Sequence, residues 1–154
     1  MDVTYINPFI EACQFIITKV TGFEVTLGKI FVKQSPYAGE NVAVIIGVTG
    51  RVRGTAVFSL KPQAACKIAG AMIGTPVLAL DEMGKSAISE LSNMILGKAA
   101  TIFSDRDIRI DISPPTLLMG ENMQFSADNV QIISIPLEFG IGDKVILDVS
   151  FETT

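Results

Sequence analysis

The residues best placed to do chemistry in this sequence lie between Ser86 and Asn93. At about 100° per residue on a helix, Ser86, Glu90, Asn93 and Gly97 fall on one narrow strip. A carboxylate and a carboxamide three residues apart then stand side by side, and the small residues next to them let another surface come close. On an outer helix face such a pair is usually only solvated surface, so spacing alone does not decide between the two interpretations.

The strip belongs to a long predicted helix, Asp81 to Ser104. Apolar side chains at helical spacing predict one buried stripe on it, made of Ile88, Leu91, Ile95, Ala99 and Ile102. The strip lies opposite this stripe and is therefore predicted to face away from the core. Gly97 in mid-helix costs about 1 kcal/mol relative to alanine, so we expect a partner or a neighbouring helix to approach it. Lys85 and Lys98, beside the strip, are expected to be ordinary solvated lysines.

The composition removes most other kinds of catalysis. The chain has no histidine, which excludes histidine-based triads, histidine general bases and most zinc sites. Gly97-Lys98 lacks the earlier glycine of a phosphate-binding loop, since Ser92 stands in its place, and Gly47-Val48-Thr49-Gly50 does not open a helix. Chemistry must therefore use carboxylates, amides, hydroxyls or lysines, and we predict no metal site.

Length and charge point to one domain, residues 1–154, of a cytoplasmic protein. The net charge of −4 disfavours nucleic acid as a partner. The longest uncharged stretch, Ile68 to Leu80, contains Gly70, Gly74 and Pro76, and it is shorter than the roughly 18 residues that a membrane span needs. Asp2 leaves no basic region of the kind that begins a secretory signal.

The first half of the chain reads as a helix, three strands and a second helix. Asn7-Pro8 predicts an N-cap followed by the first helical residue, and Gly22 ends this helix. The helix is predicted to bury Phe9, Ile10, Cys13, Ile17 and Val20. The next elements are predicted at Glu24–Lys33, Val42–Val48, Gly54–Leu60 and, as a helix, Pro62–Ile73. The apolar run that begins at Val42 does not alternate, so its strand is predicted to be covered on both faces.

The second half repeats this order after the long helix. Its strands are predicted near Ile108–Ile112, Thr116–Met119, Asn129–Ile135 and Lys144–Phe151, with Pro136 at an edge or a strand end. The repeated order of helix, strand, strand, strand indicates a degenerate internal duplication. Cys13 and Cys66 lie among apolar neighbours and are predicted to be reduced core residues.

Ser86, Glu90 and Asn93 resemble the Ser-x-x-x-Glu-x-x-Asn signature of the chemotaxis phosphatase family that includes CheC, CheX and FliY. The signature continues with a proline about two dozen residues later, where this chain has Pro114-Pro115. The three segments that look like CheX members of the family occur in order, at Gly47–Gly54, Glu90–Lys98 and Ile112–Thr116. The resemblance extends over essentially the whole chain.

The resemblance implies hydrolysis of the aspartyl phosphate on a CheY-type receiver domain. Asn93 would orient the attacking water, and Glu90 would dock on a lysine of the partner. Ser86 and Gly97 would contact the partner. The receiver domain is expected to bring its own Mg²⁺, so that this chain needs no cofactor.

The resemblance also implies an α/β (α+β) fold with long helices packed on a mostly antiparallel β-sheet, and a homodimer formed through the sheet. The sequence is compatible with a dimer, since the Val42–Val48 strand has little to blunt an exposed edge. In family members with two active sites, the motif recurs on the first helix. The corresponding positions here are Asn7, Glu11 and Gln14, which we interpret as a vestigial copy.

Two other functions remain open from the sequence. A non-catalytic module of the same fold would dock a response regulator or a motility adaptor through Glu90 without using Asn93. A small-molecule enzyme with Glu90 as acid or base would need a concave pocket at the strip, whereas an amphipathic helix face predicts an open surface.

Overall fold

A computed structural model describes residues 3–127 and 131–153 of the chain. The described residues form three α-helices: α1 (Asn7–Thr21), α2 (Pro62–Ile73) and α3 (Glu82–Asp105). The strands of the first half are β1 (Val25–Leu27), β2 (Phe31–Lys33), β3 (Tyr37–Ala38), β4 (Val42–Gly50) and β5 (Val52–Leu60). Those of the second half are β6 (Ile110–Ile112), β7 (Thr116–Met119), β8 (Gln124–Phe125), β9 (Ile132–Phe139) and β10 (Asp143–Thr153). The helices pack on a mainly antiparallel sheet, which confirms the predicted fold class.

The sheet is built from two interlocked halves. Its strand order is β1-β9-β10-β5-β4-β6, with β2 also paired to β9 and β7 also paired to β4. The short outer strands of each half therefore pair with a long strand of the other half, while β5 and β10 pair in the centre. The repeat predicted from the sequence is visible in this exchange of outer strands.

The predicted strand Glu24–Lys33 is wrong as a single element, because Pro136 divides its partner. Pro136 lies inside β9, neither at an edge nor at a strand end as predicted, and it accepts a hydrogen bond from the Gly28 N–H at 2.9 Å. On that side of β9 the proline has no N–H to donate in return. The ladder is interrupted there, so that β1 pairs with one end of β9 and β2 with the other.

Several boundaries differ from the sequence prediction. Helix α1 begins at Asn7, and the residue before it, Ile6, takes the N-cap position, so Asn7 is not the cap. The short ribbon of β3 and β8 was not predicted. Strand β9 runs to Phe139, beyond the predicted end, while the predicted start at Asn129 falls outside the described residues.

The long helix and the core agree closely with the apolar pattern. Helix α2 has the predicted bounds, and four of the five stripe residues of α3 are buried, with Ile102 half-buried and Phe103 buried beside it. The ring of Phe9 lies 5.3 Å from that of Phe103 and 5.1 Å from that of Phe151. These contacts fix α1 against α3 and the sheet.

Strand β4 is buried along most of its length, as its apolar run predicts. It lies between β5 and the pair β6 and β7, so it offers no free edge, and that part of the argument for a dimer is wrong. Cys13 is buried and Cys66 is half-buried, and both are free thiols. None of the described helices has the length and the apolar content needed to cross a membrane.

Candidate functional site

Helix α3 carries the predicted site on its outer face. The carboxylate of Asp81 caps the helix by accepting the Gly84 N–H at 2.9 Å, which holds the first turn in place. Ser86 and Glu90 are exposed, and Asn93 is half-buried one turn further along. The structure therefore places all three motif residues on the solvent side, as the helical spacing predicts.

The motif residues line an open groove of about 520 Å³ beside α3. Pro115 and Leu117, from the segment around β7, form the wall of this groove that does not come from α3. The other lining residues are Glu82, Lys85, Ser86 and Ser89. The face is thus a groove and not the plain helix surface that we expected. The proline that follows the motif in sequence is brought next to it in space.

The carboxylate of Glu90 is free of the salt bridges formed among the described residues. Lys85, which lines the same groove, pairs with Glu82 at 3.1 Å instead. Glu90 therefore presents an exposed negative charge that an outside cation can reach. Lys85 is not simply solvated, although an exposed pair of this kind adds little to stability.

Gly97 lies in open space on the same strip. A Cβ atom built on it would meet nothing within 4 Å, so no neighbouring helix of the described chain needs this glycine. That explanation is wrong, and approach by a partner remains the prediction. Lys98, next to it, lies with its ammonium 4.5 Å from the ring centroid of Phe15, and the prediction of an ordinary solvated lysine is also wrong.

The vestigial copy on α1 has a different environment. Asn7 and Glu11 are exposed and Gln14 is half-buried. Glu11 and Gln14 line a separate groove of about 710 Å³ together with Phe15, Thr18, Lys19, Lys98 and Ile102. Glu11 is paired within the chain, because Arg106 donates to both of its carboxylate oxygens.

Three lining residues of the α3 groove were not singled out from the sequence, namely Glu82, Ser89 and Leu117. Ser89 lies one turn from Ser86 and from Asn93, so helical spacing could have placed it at the edge of the strip. Leu117 enters the site only through the pairing of β7 with β4, for which the sequence carries no local signal. Within residues 3–127 and 131–153, no group of three or more Cys, Asp or Glu side chains is placed to hold a metal ion.

The fold and the position of Glu90 and Asn93 on the outer face of α3 agree with the match to known proteins. The family model described as chemotaxis phosphatase CheX matches residues 42–138, more than half of the chain. This chain belongs to the chemotaxis phosphatase CheX family.

Particular relatives extend this assignment. The CheY-P phosphatase CheX of Thermotoga maritima is 31% identical over 138 residues, which cover 89% of this chain and 88% of that protein. A CheC-like superfamily protein from Shewanella sp. PV-4 superposes with a TM-score of 0.88 at 25% identity, over 99% of both chains. The CheX of a CheX–CheY–BeF₃–Mg²⁺ complex from Borrelia burgdorferi has the same fold, with a TM-score of 0.83 at 24% identity, over 96% of this chain and 97% of that one.

Proposed function

We propose that this protein is a phosphatase that removes the aspartyl phosphate of a CheY-type response regulator. One observation carries the proposal: Glu90 and Asn93 lie together in an open groove beside α3 that Pro115, from the segment after the motif, also lines. The 31% identity to the CheY-P phosphatase of Thermotoga maritima supplies the class of substrate. An open groove suits the surface of a folded protein, because a phosphorylated side chain can enter it from outside.

In this proposal Asn93 orients the attacking water. A neutral carboxamide can accept a hydrogen bond from a water and donate one to it, and it does not repel the phosphoryl oxygens. Its half-buried position limits the number of rotamers that the side chain can adopt. Phosphoryl transfer to water needs mainly a nucleophile held in line with the leaving group, and a glutamine does this in GTPases.

Glu90 docks the partner in this mechanism and does not act as a base. A carboxylate beside a phosphoryl group would repel it, whereas an exposed carboxylate without an ion-pair partner among the described residues can bind a lysine of the receiver domain. That ion pair would fix α3 over the phosphorylated aspartate and bring Asn93 to the water. Ser86 and Gly97, on the same strip, would lie under the partner.

The energy required from this chain is modest. A hundredfold acceleration corresponds to about 2.7 kcal/mol, which is the size of one well-placed polar contact in a preorganised site. An acyl phosphate is already labile. The Mg²⁺ ion and a cationic side chain that neutralise the phosphoryl charge are expected on the receiver domain. This chain would then only have to hold the attacking water in position. It would do so in the cytoplasm, where such regulators act.

The test is phosphate release from a CheY-type receiver domain of the same genome, loaded with acetyl phosphate in Mg²⁺. The parent protein, Asn93→Ala and Gln14→Ala are compared, the last being a matched amide on α1. We expect acceleration by the parent and by Gln14→Ala, and at least a hundredfold lower kcat for Asn93→Ala. Binding of a BeF₃-loaded receiver without acceleration by the parent would instead make the protein a docking module.

We also propose that two copies associate through the open edge of the sheet. Phe31 and Val32 on β2 are 45% and 51% exposed, which is unusual for large apolar side chains of an outer strand. Sedimentation velocity of the parent and of Val32→Lys would test this. A parent dimer that becomes monomeric in the variant supports the proposal, and a monomeric parent contradicts it.

A further inference from the structure

The wall of the α3 groove is a bulge in the sheet. Ile112 of β6 pairs with Val48 of β4, and Thr116 of β7 pairs with Ile45. Three residues, 113–115, thus lie opposite only two residues of β4, Ile46 and Gly47. The segment between β6 and β7 therefore contains one residue more than a regular ladder would pair, which defines a β-bulge. Pro114 and Pro115 have no N–H to donate to β4, and the chain must leave the ladder at this point.

Ser113 closes the gap that the prolines leave. Its N–H donates to the Gly47 carbonyl at 2.9 Å, and its hydroxyl oxygen accepts the Gly47 N–H at 2.7 Å. The hydroxyl also donates to the Pro114 carbonyl at 3.3 Å. The Ser113 hydroxyl therefore takes the place of the backbone carbonyl that would accept the Gly47 N–H in a continued strand. Both the N–H and the carbonyl of Gly47 are bonded to Ser113, and these two bonds hold the bulge on β4.

Gly47 leaves room for the Ser113 side chain in this arrangement. A Cβ atom at position 47 would lie 3.2 Å from the Ser113 hydroxyl oxygen and 3.7 Å from the Ser113 Cβ. A Cβ at this position would press on the serine hydroxyl, which would have to shift by a few tenths of an ångström and would strain its hydrogen bond to the Gly47 N–H. The two residues thus form one contact, which we call the Ser113–Gly47 clamp.

The clamp lies directly before the groove wall. Pro115 is two residues after Ser113, it is half-buried, and its ring restricts the backbone. It lines the same groove as Glu90 and Asn93. The hydrogen bonds of Ser113 therefore fix one end of this wall relative to α3, since the prolines have no N–H to donate to β4, and the pairing of Thr116 with Ile45 fixes the other end.

We propose that Ser113 and Gly47 are positioning residues for the phosphatase: their clamp holds Pro115 as the wall against which the receiver domain docks beside Asn93. The inference rests on the proposed function. The wall contacts the docked partner both before and during the reaction. Its loss should therefore weaken binding of the regulator and leave the chemical step unchanged.

The test measures kcat and KM for the phosphorylated receiver domain with Ser113→Ala, Ser113→Thr and Gly47→Ala. We expect Ser113→Ala and Gly47→Ala to raise KM about tenfold, equivalent to about 1.4 kcal/mol, with kcat within twofold of the parent. Ser113→Thr keeps the hydroxyl at an exposed position and should restore the parental KM. Thermal unfolding of each variant separates a displaced wall from an unfolded chain.

The chain offers a matched control at the opposite edge of the sheet. A Cβ on Gly28 would lie 3.0 Å from the Pro136 Cγ, so Gly28→Ala crowds a proline in a similar way but far from α3. It should lower the unfolding temperature and leave KM unchanged.

The failure of this inference is distinguishable from failure of the proposed function. An active parent, an inactive Asn93→Ala and an unchanged KM for Ser113→Ala would overturn the inference alone. An inactive parent would overturn the phosphatase proposal. The role of the wall in docking would then be tested by comparing the affinities of the parent and of Ser113→Ala for the BeF₃-loaded receiver. Equal affinities of the parent and Ser113→Ala would contradict the clamp, and so would a fall in kcat without a change in KM.

Discussion

Arg106 places its Nη2 atom 3.2 Å from Oε1 and 3.3 Å from Oε2 of Glu11, so that the end of α3 is paired with the acidic residue of the motif copy on α1. Glu90, the corresponding residue on α3, is free of salt bridges to the described residues. The two copies of the motif thus differ in two ways. Their carboxylates differ in whether a cation of the chain pairs with them, and their amide position is Gln14 on α1 but Asn93 on α3. A partner lysine would compete with Arg106 for Glu11 on α1, whereas no described cation forms a salt bridge with Glu90 on α3.

The first prediction follows from this difference. Glu11→Ala and Gln14→Ala should each leave kcat/KM for receiver dephosphorylation within twofold of the parent, because neither residue is expected to dock the regulator. Arg106→Ala should change the free energy of unfolding by no more than about 1 kcal/mol, since the pair is exposed. Urea unfolding and the phosphate-release assay measure the two effects. A tenfold loss of kcat/KM in Glu11→Ala would show that α1 takes part.

The second prediction concerns the charge of Glu90. Glu90→Ala should raise KM for the phosphorylated receiver about tenfold, and Glu90→Lys should raise it further because an attraction becomes a repulsion. The effect of Glu90→Ala should shrink as salt is added, since exposed charges are screened. Glu24→Lys, which changes another exposed acidic residue next to β1, serves as the control and should leave KM within twofold. Salt-independent KM values in the parent would contradict the docking role.

The third prediction uses the open space around Gly97. Gly97→Ala should raise the free energy of unfolding by about 0.5–1 kcal/mol, because alanine favours the helix and its Cβ meets nothing within 4 Å. Gly97→Leu should fold as well but dock poorly, with a KM at least tenfold above that of the parent, because its side chain would occupy the space under the partner. Circular dichroism and the phosphate-release assay separate the two effects. Parental kinetics for Gly97→Leu would show that the receiver does not cover this part of α3.

The helices and the motif face could be predicted because their signals are local. The period of Ile88, Leu91, Ile95 and Ala99 orients α3, and the same rotation puts Glu90 outside. The split of the first strand could not be predicted in this way. Pro136 lies far along the chain, and its effect on β1 and β2 depends on which strands become its neighbours.

The groove wall shows the same limit. Gly47, Asn93 and Pro115 all lie in segments that resemble the family, but nothing in the sequence joins Gly47 to Ser113 or Pro115 to α3. Those contacts arise from the pairing of β6 and β7 with β4, which is a property of the whole sheet. A helical period predicts the direction of a side chain, whereas the surface opposite it depends on long-range pairing.

The last prediction concerns Asp148, a fully buried carboxylate on the central strand β10. Burial raises its pKa above the usual value, while the neighbouring Ser134 hydroxyl and the Lys33 ammonium, whose Nζ lies 3.2 Å from the carboxylate, act in the opposite direction. Burial also raises the pKa of the Tyr37 phenol, and the negative charge of Asp148 raises it further. The net direction is upward, so the folded state holds the Asp148 proton more tightly than the unfolded state does.

A raised pKa makes the contribution of Asp148 to stability greatest at low pH. That contribution should be present near the ordinary aspartate pKa of about 3.9 and should be lost as the pH rises through the folded-state value. The asparagine of Asp148→Asn does not titrate in this range. The free energy of unfolding of this variant should therefore increase relative to that of the parent as the pH rises from 4 to 7. The gain is about 1.4 kcal/mol for each tenfold difference in proton affinity between the two states. Urea unfolding of both proteins across this range measures it. A relative stability that falls with rising pH would mean that the Lys33 ion pair outweighs burial and that Asp148 is held ionised.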